Sequence, residues 1–89
     1  TTPLVPINRN PETDVSGVRE AKYNRLLEKV ARNIKRVRKE KGLSQPAMMG
    51  LGFDLRNYQR LEAGKHSPSL FTLHRLSLAF KCEMSEFFR

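Results

Sequence analysis

Along the first half of the chain the apolar positions Tyr23, Leu27, Val30, Ile34 and Val37 step by 4, 3, 4 and 3. That is the spacing of one buried stripe on an α-helix. Neither proline nor glycine interrupts residues 18–41, so the pattern predicts a helix over 17–41. Ahead of Tyr23 the stripe falters, with Val18 and Ala21 leading to Asn24 and Arg25. Beyond Gly42 the periodicity breaks into shorter pieces. Ser44 is placed to cap a short helix containing Pro46 to Met49, since a first-turn proline loses no intrahelical donor; Gly50 and Gly52 end it. Asp54 reads as the cap of a second short helix, Leu55 to Glu62, stopped by Gly64. Pro68 and Ser69 open a longer one through about Phe80, its inner face Leu70, Leu73, Leu76 and Phe80, and Ser85 to Phe88 forms a last turn. Met48, Met49, Tyr58 and Leu61 are expected in the core. No segment alternates with period two, so the fold class is all-α.

Residues 1–15 hold Pro3, Pro6 and Pro11 with Asn8 and Asn10 between them. Proline lacks a backbone donor and turns its predecessor away from helix, so an arm is expected there. The chain accordingly divides into an N-terminal extension, residues 1–24, and a helical domain, residues 25–89. A single helix over 17–41 would be about 37 Å long, whereas the remaining packed unit would be about 25–30 Å across. Its first turns would project, break near Asn24 or rest on a second subunit.

Eighty-nine residues make one domain, with 38 % hydrophobic residues and no Trp. A deep cleft between two domains is not expected. Seventeen Lys and Arg against nine Asp and Glu give a formal charge of +8, which favours a polyanionic partner, nucleic acid before an acidic membrane surface. The single cysteine, Cys82, excludes an internal disulfide and fits a reducing, cytoplasmic compartment. No apolar run approaches the roughly 18 residues of a membrane span, and the opening TTPLVPINRNPETD lacks the pattern of a secretory signal.

Two short helices joined by a glycine turn on a basic chain suggest a helix-turn-helix at about residues 44–63. In that motif the second helix enters the major groove of double-stranded DNA. With Tyr58 and Leu61 facing inward, Leu55, Arg56, Gln59 and Arg60 face out. Arginine and glutamine are the residue types that read guanine and adenine edges.

The run Asn33-Ile34-Lys35-Arg36-Val37-Arg38-Lys39-Glu40-Lys41-Gly42-Leu43-Ser44-Gln45 resembles the opening of the Cro-like phage-repressor family, also called the xenobiotic-response-element family. The likeness continues through Tyr58-Gln59-Arg60-Leu61-Glu62-Ala63-Gly64-Lys65, Pro68-Ser69-Leu70, Thr72-Leu73 and Met84-Ser85-Glu86-Phe87-Phe88, covering about residues 27–88. It implies a compact five-helix DNA-binding domain, usually dimeric, acting on an operator-like site. By position, Leu55, Arg56 and Arg60 fall where the family reads bases. Gln45, Asn57 and Lys65 fall at backbone-contact positions, Gln45 also bracing the recognition helix. Arg38 and Glu62 resemble a structural ion pair. From Gln45 to Glu62 the motif is one residue shorter than the usual form, and the Met48-Met49 neighbourhood replaces a small residue. Leu55 can only pack on a thymine methyl.

Phe71 and Leu78 point away from the inner face of their helix, and Phe87 and Phe88 add apolar area, so a homodimer interface is expected from these four. The alternative is that the N-terminal extension covers Phe71 and Leu78. His66, His74 and Cys82 lack zinc-ligand spacing, Gly50-Leu51-Gly52 follows no strand as a phosphate loop would, and neither Ser44 nor Cys82 has a neighbouring base. No cofactor, metal or catalysis is expected. The chain thus reads as a transcriptional regulator binding a palindromic operator as a dimer, for instance a small controller of an operon. An antitoxin-type module with a protein partner on residues 1–24, or an adaptor for an acidic surface, is the alternative.

Overall fold

The structure, a computed structural model, describes residues 16–89; the expected arm over 1–15 lies outside them. Helix α1 spans Ser16–Glu40, followed by a 3-10 segment, Pro46–Leu51. Helices α2, Leu55–Glu62, and α3, Leu70–Phe80, come next, and a second 3-10 segment, Met84–Phe88, ends the described chain. The described residues are all-α, without a strand. Three of the five expected helices are therefore α-helical, and the other two are short 3-10 segments. The first is tightened by its composition: Pro46 has no N–H to give, Gly50 is a poor helix former, and the bonds that close are i to i+3, Ala47 N–H to Ser44 O at 3.2 Å and Met48 N–H to Gln45 O at 3.0 Å. Three residues per turn put Met48 inside and Met49 outside, so Met49 is exposed and not in the core.

α1 runs unbroken through Asn24, and its last turns are the spine of the core. Val30, Ile34 and Val37 pack with Met48, Phe53, Tyr58, Leu61, Leu73, Leu76, Phe80 and Phe87. The second 3-10 segment and α2 lie directly against α1. Phe87, expected at a dimer surface, is instead fully buried, its ring edge-on to Phe80 with centroids 6.4 Å apart. Asn33 explains the anchoring: its amide donates to the carbonyls of Phe87 and Arg89, each at 3.1 Å. Arg36 adds a bond to the Glu86 carbonyl at 3.0 Å and an ion pair with its carboxylate at 3.3 Å.

The buried stripe of α1 begins later than its periodicity predicts. Leu27 is half-buried and Tyr23 exposed, because the elements that cover α1 end near Val30. The Tyr23 hydroxyl meets Ser67 Oγ in the loop after α2. Its ring, with Leu26, Pro68 and Phe88, borders a small apolar groove of about 110 Å³. Leu70 also departs from expectation. It sits in the first turn of α3, beyond the edge of the core, and is 73 % exposed; the inner face starts at Leu73. Gly64, at φ +71°, turns the chain out of α2 close against Ala31 and Glu28 of α1.

Asn33→Ala should lower stability by about 1–3 kcal/mol, since it leaves a buried carbonyl at Phe87 without its donor. Urea unfolding followed by circular dichroism measures this. A change below about 0.5 kcal/mol, within the range of a neutral surface substitution, would mean that apolar packing alone holds the terminal segment.

Candidate nucleic-acid interface

The loop before α2 is built to start a helix at a fixed place. Gly52 takes φ +92°, a left-handed conformation that suits glycine, and its N–H closes the preceding 3-10 segment on the carbonyls of Met48 and Met49. Phe53 drops into the core. Asp54 then caps α2 as the sequence predicts, its carboxylate accepting from Asn57 N–H at 2.9 Å. Ser44 likewise accepts from Ala47 N–H at 3.2 Å, giving the first 3-10 segment its expected side-chain bond.

Eight residues, about 12 Å of helix, present two chemically different faces. Tyr58 and Leu61 are buried, while Arg56, Gln59 and Arg60 are exposed. Leu55 is half-buried and Asn57 exposed at the borders of that outer face. Neither Arg56 nor Arg60 takes part in any of the ion pairs among the described residues. Lys65 is exposed just past the end of the helix, where its backbone N–H bonds the Arg60 carbonyl at 3.0 Å.

Behind this face lies a saturated carboxylate. Glu62 accepts from Arg38 twice, at 2.5 Å from Nε and 3.1 Å from Nη2, and both side chains are nearly sealed from water, 3 % and 7 % exposed for Glu62 and Arg38. Gln45 Nε2 donates to Glu62 Oε1 at 2.9 Å, and the Tyr58 hydroxyl donates to Oε2. These four donors use the carboxylate's lone-pair sites. Burial pushes the Glu62 carboxyl up, but the bonds from Arg38, Tyr58 and Gln45 outweigh it and hold the group below the ordinary carboxylate range. Burial, with the Glu62 carboxylate alongside, pushes the Tyr58 hydroxyl up, so it stays a donor. Arg38 Nη1 also reaches the Leu43 carbonyl at 2.7 Å.

Gln45 is the link between this buried network and the surface. Its Nε2 is committed to Glu62, while its Oε1 accepts from Gln59 Nε2 at 3.2 Å. Of the residues singled out in the sequence, the fold thus brings together Gln45, Gln59, Glu62 and Arg38. Arg56, Asn57, Arg60 and Lys65 remain beside them at the surface. Two contributors left no such signal: the Tyr58 hydroxyl, which reads as core, and Arg75. The Arg75 side chain crosses from α3 to donate to the Gly52 carbonyl at 2.7 Å and lies over the Phe53 ring at 4.4 Å. The buried aromatic just before the Asp54 cap, Phe53, offers a face for a cation, but its pairing with Arg75 in the middle of α3 is not readable from spacing.

A helix with a polar outer face, its arginines in no ion pair, behind a glycine turn and a preceding short segment has the form of a helix-turn-helix, the architecture of DNA-binding regulators. The family model described as helix-turn-helix matches residues 34–87, more than half the chain, and the chain belongs to that family, of the Cro-like, xenobiotic-response-element type. No curated protein and no solved structure matches it. Among the described residues no helix is long and apolar enough to cross a membrane.

Glu62→Gln should cost about 3 kcal/mol or more at pH 7, because it leaves Arg38 charged without its buried counter-ion. The depressed carboxyl makes that difference depend on pH. Its stabilisation is complete above the unfolded carboxylate range, about pH 4.3, and is lost as pH falls through the lower folded value. Urea unfolding of both proteins at pH 7 and in acid should show the gap closing; a gap independent of pH would contradict an ionised pair.

Proposed function

We propose that this protein is a sequence-specific transcriptional regulator that binds a palindromic or near-palindromic DNA operator as a two-fold dimer. The observation that carries it is the outer face of α2. Arg56, Gln59 and Arg60 are exposed there without an ion pair, on a helix whose inner face is pinned to α1 through Glu62. In this assignment α2 lies in the major groove, Arg56 and Arg60 bond guanine edges, Gln59 bonds adenine and Leu55 packs on a thymine methyl. Gln45, Asn57 and Lys65 hold the phosphates, which set register without reading sequence. The Gln45–Gln59 bond then has a further use: a phosphate contact at Gln45 would orient a base-reading side chain.

The dimer is supported by apolar exposure on α3. Phe71 and Leu78 are 68 % and 64 % exposed, two helical turns apart on one face, and Phe88 is also exposed. With Phe87 in the core, these three form the proposed contact surface. A two-fold pair would set its recognition helices about 34 Å apart, one turn of DNA. The formal charge of +8 adds sequence-independent attraction to either half-site.

Selecting bound sites from random duplex DNA tests specificity and symmetry together. Arg60→Ala should weaken binding to the selected site by about 1–3 kcal/mol and relax preference at one base position. Equal losses on selected and random DNA would remove it from base reading. Lys65→Ala should instead weaken both and lower the salt slope by about one unit; an unaltered slope excludes a phosphate contact there. Selected sites without two-fold symmetry, with a chain monomeric on them by sedimentation, would refute the dimer.

A further inference from the structure

Helix α2 is fixed on one side by the Arg38–Glu62–Gln45 network, which grips its last turn. Its first turn has a different neighbour. The loop Gly52-Phe53-Asp54 leads straight into α2, and a cavity of about 320 Å³ lies beside it, lined among others by Asp54, Asn57, His66, Thr72 and Arg75. Across that gap Arg75 reaches from α3. Its Nη2 donates to the Gly52 carbonyl at 2.7 Å, and its guanidinium stacks 4.4 Å above the Phe53 ring. Phe53 in turn meets Tyr58 edge-on, with centroids 6.2 Å apart, and Tyr58 bonds Glu62. The two ends of α2 are therefore connected through its buried face.

Resting on the regulator reading above, we propose that Arg75 is a positioning residue for DNA recognition: it clamps the Gly52-Phe53 turn to α3 and so sets where the first turn of α2, with Leu55 and Arg56, meets the bases. Three features of the site support this. A planar guanidinium can stack on an aromatic face and donate in its own plane at once, which a lysine ammonium cannot reproduce. The turn is packed tightly around it, since a Cβ added at Gly52 would lie 3.2 Å from Arg75 Nη2. The loop's own bonds, Phe53 N–H to Met48 O at 3.1 Å and Asn57 N–H to Asp54, tie it only to the preceding segment and to α2. Arg75 is its hydrogen-bonded tie to α3. The clamp touches no base, yet a small shift at the start of a short helix displaces every reading side chain on it.

The test uses the whole chain with Arg75→Met and Arg75→Lys. Methionine keeps apolar contact with Phe53 but cannot donate; lysine keeps the charge and one donor. Amide hydrogen exchange on the free protein should quicken about tenfold at the hydrogen-bonded amides of Phe53, Asn57 and Tyr58 in Arg75→Met, as expected for the loss of one hydrogen bond. Amides around Ile34 should hold their protection. On the operator selected above, the ratio of specific to random binding should fall about tenfold in Arg75→Met, the worth of one weakened base contact. Arg75→Lys should lie between the two proteins in both measurements. Unaltered exchange and an unaltered ratio in the variants that fold would overturn the proposal. So would equal losses on both DNAs with a shallower salt slope, which would make Arg75 a phosphate ligand. A wild-type chain that prefers no sequence would sink the regulator reading, while the exchange data would still decide whether the clamp exists.

Discussion

One buried carboxylate constrains the rest of this small domain. Glu62 has surrendered its hydration, and a carboxylate removed from water is tolerable only when its lone pairs are filled and its charge is opposed. Arg38 from α1, Tyr58 from α2 and Gln45, at the start of the first 3-10 segment, meet that demand together. The three elements cannot slide past one another without uncovering a charge. Apolar packing among Ile34, Met48 and Leu61 would tolerate small rearrangements; this ion pair tolerates very few. It converts a soft contact between helices into a defined angle.

Around that constraint the side chains sort by direction. The buried Asn33 bonds two carbonyls and the buried Arg38 bonds Glu62 and Leu43, while the half-buried Arg36 pairs with Glu86 and Glu40. On the outer face of α2 the arginines are exposed and make no ion pair with any described residue. Acidic residues are scarce in this chain, nine against seventeen basic ones, and Glu40 and Glu86 are spent on Arg36 and Arg89. On the proposed function that division keeps the reading arginines free of internal competitors for the base edges.

Much of this was legible in the sequence. The stripe Val30, Ile34, Val37 located the core of α1, Asp54 and Gly64 bounded α2, and the Arg38–Glu62 pair followed from the family resemblance. What failed did so at the margins of packing. Tyr23 and Leu70 have the right periodicity but lie at the edge of the packed core, where Tyr23 is covered only in part and Leu70 stays 73 % exposed, and periodicity reports which face a residue occupies, not whether a neighbour covers it. Phe87 differs for the opposite reason: it is buried by partners distant in sequence, its ring against Phe80 and its carbonyl bonded by Asn33, 54 residues away. Met49 went wrong because a 3-10 turn rotates successive residues by more than an α-turn does. Arg75 was invisible altogether, since a stacked guanidinium and a solvated one look identical in a sequence.

Charge sharpens the importance of geometry. At +8 the chain is drawn to any DNA through counterion release, a contribution that scales with phosphates neutralised and carries no sequence information. For a regulator with that background attraction, discrimination must come from a few side chains held in register, and each is worth only about 1–3 kcal/mol. A loosely held α2 would leave the non-specific attraction intact while eroding that small margin. Fixing the helix at both ends, by Glu62 at its last turn and by the Phe53 turn at its first, is therefore the arrangement a strongly basic reader of DNA requires. On the proposed function, a helix anchored at one end alone would pivot, and the arginines farthest from the anchor would sweep across neighbouring base pairs.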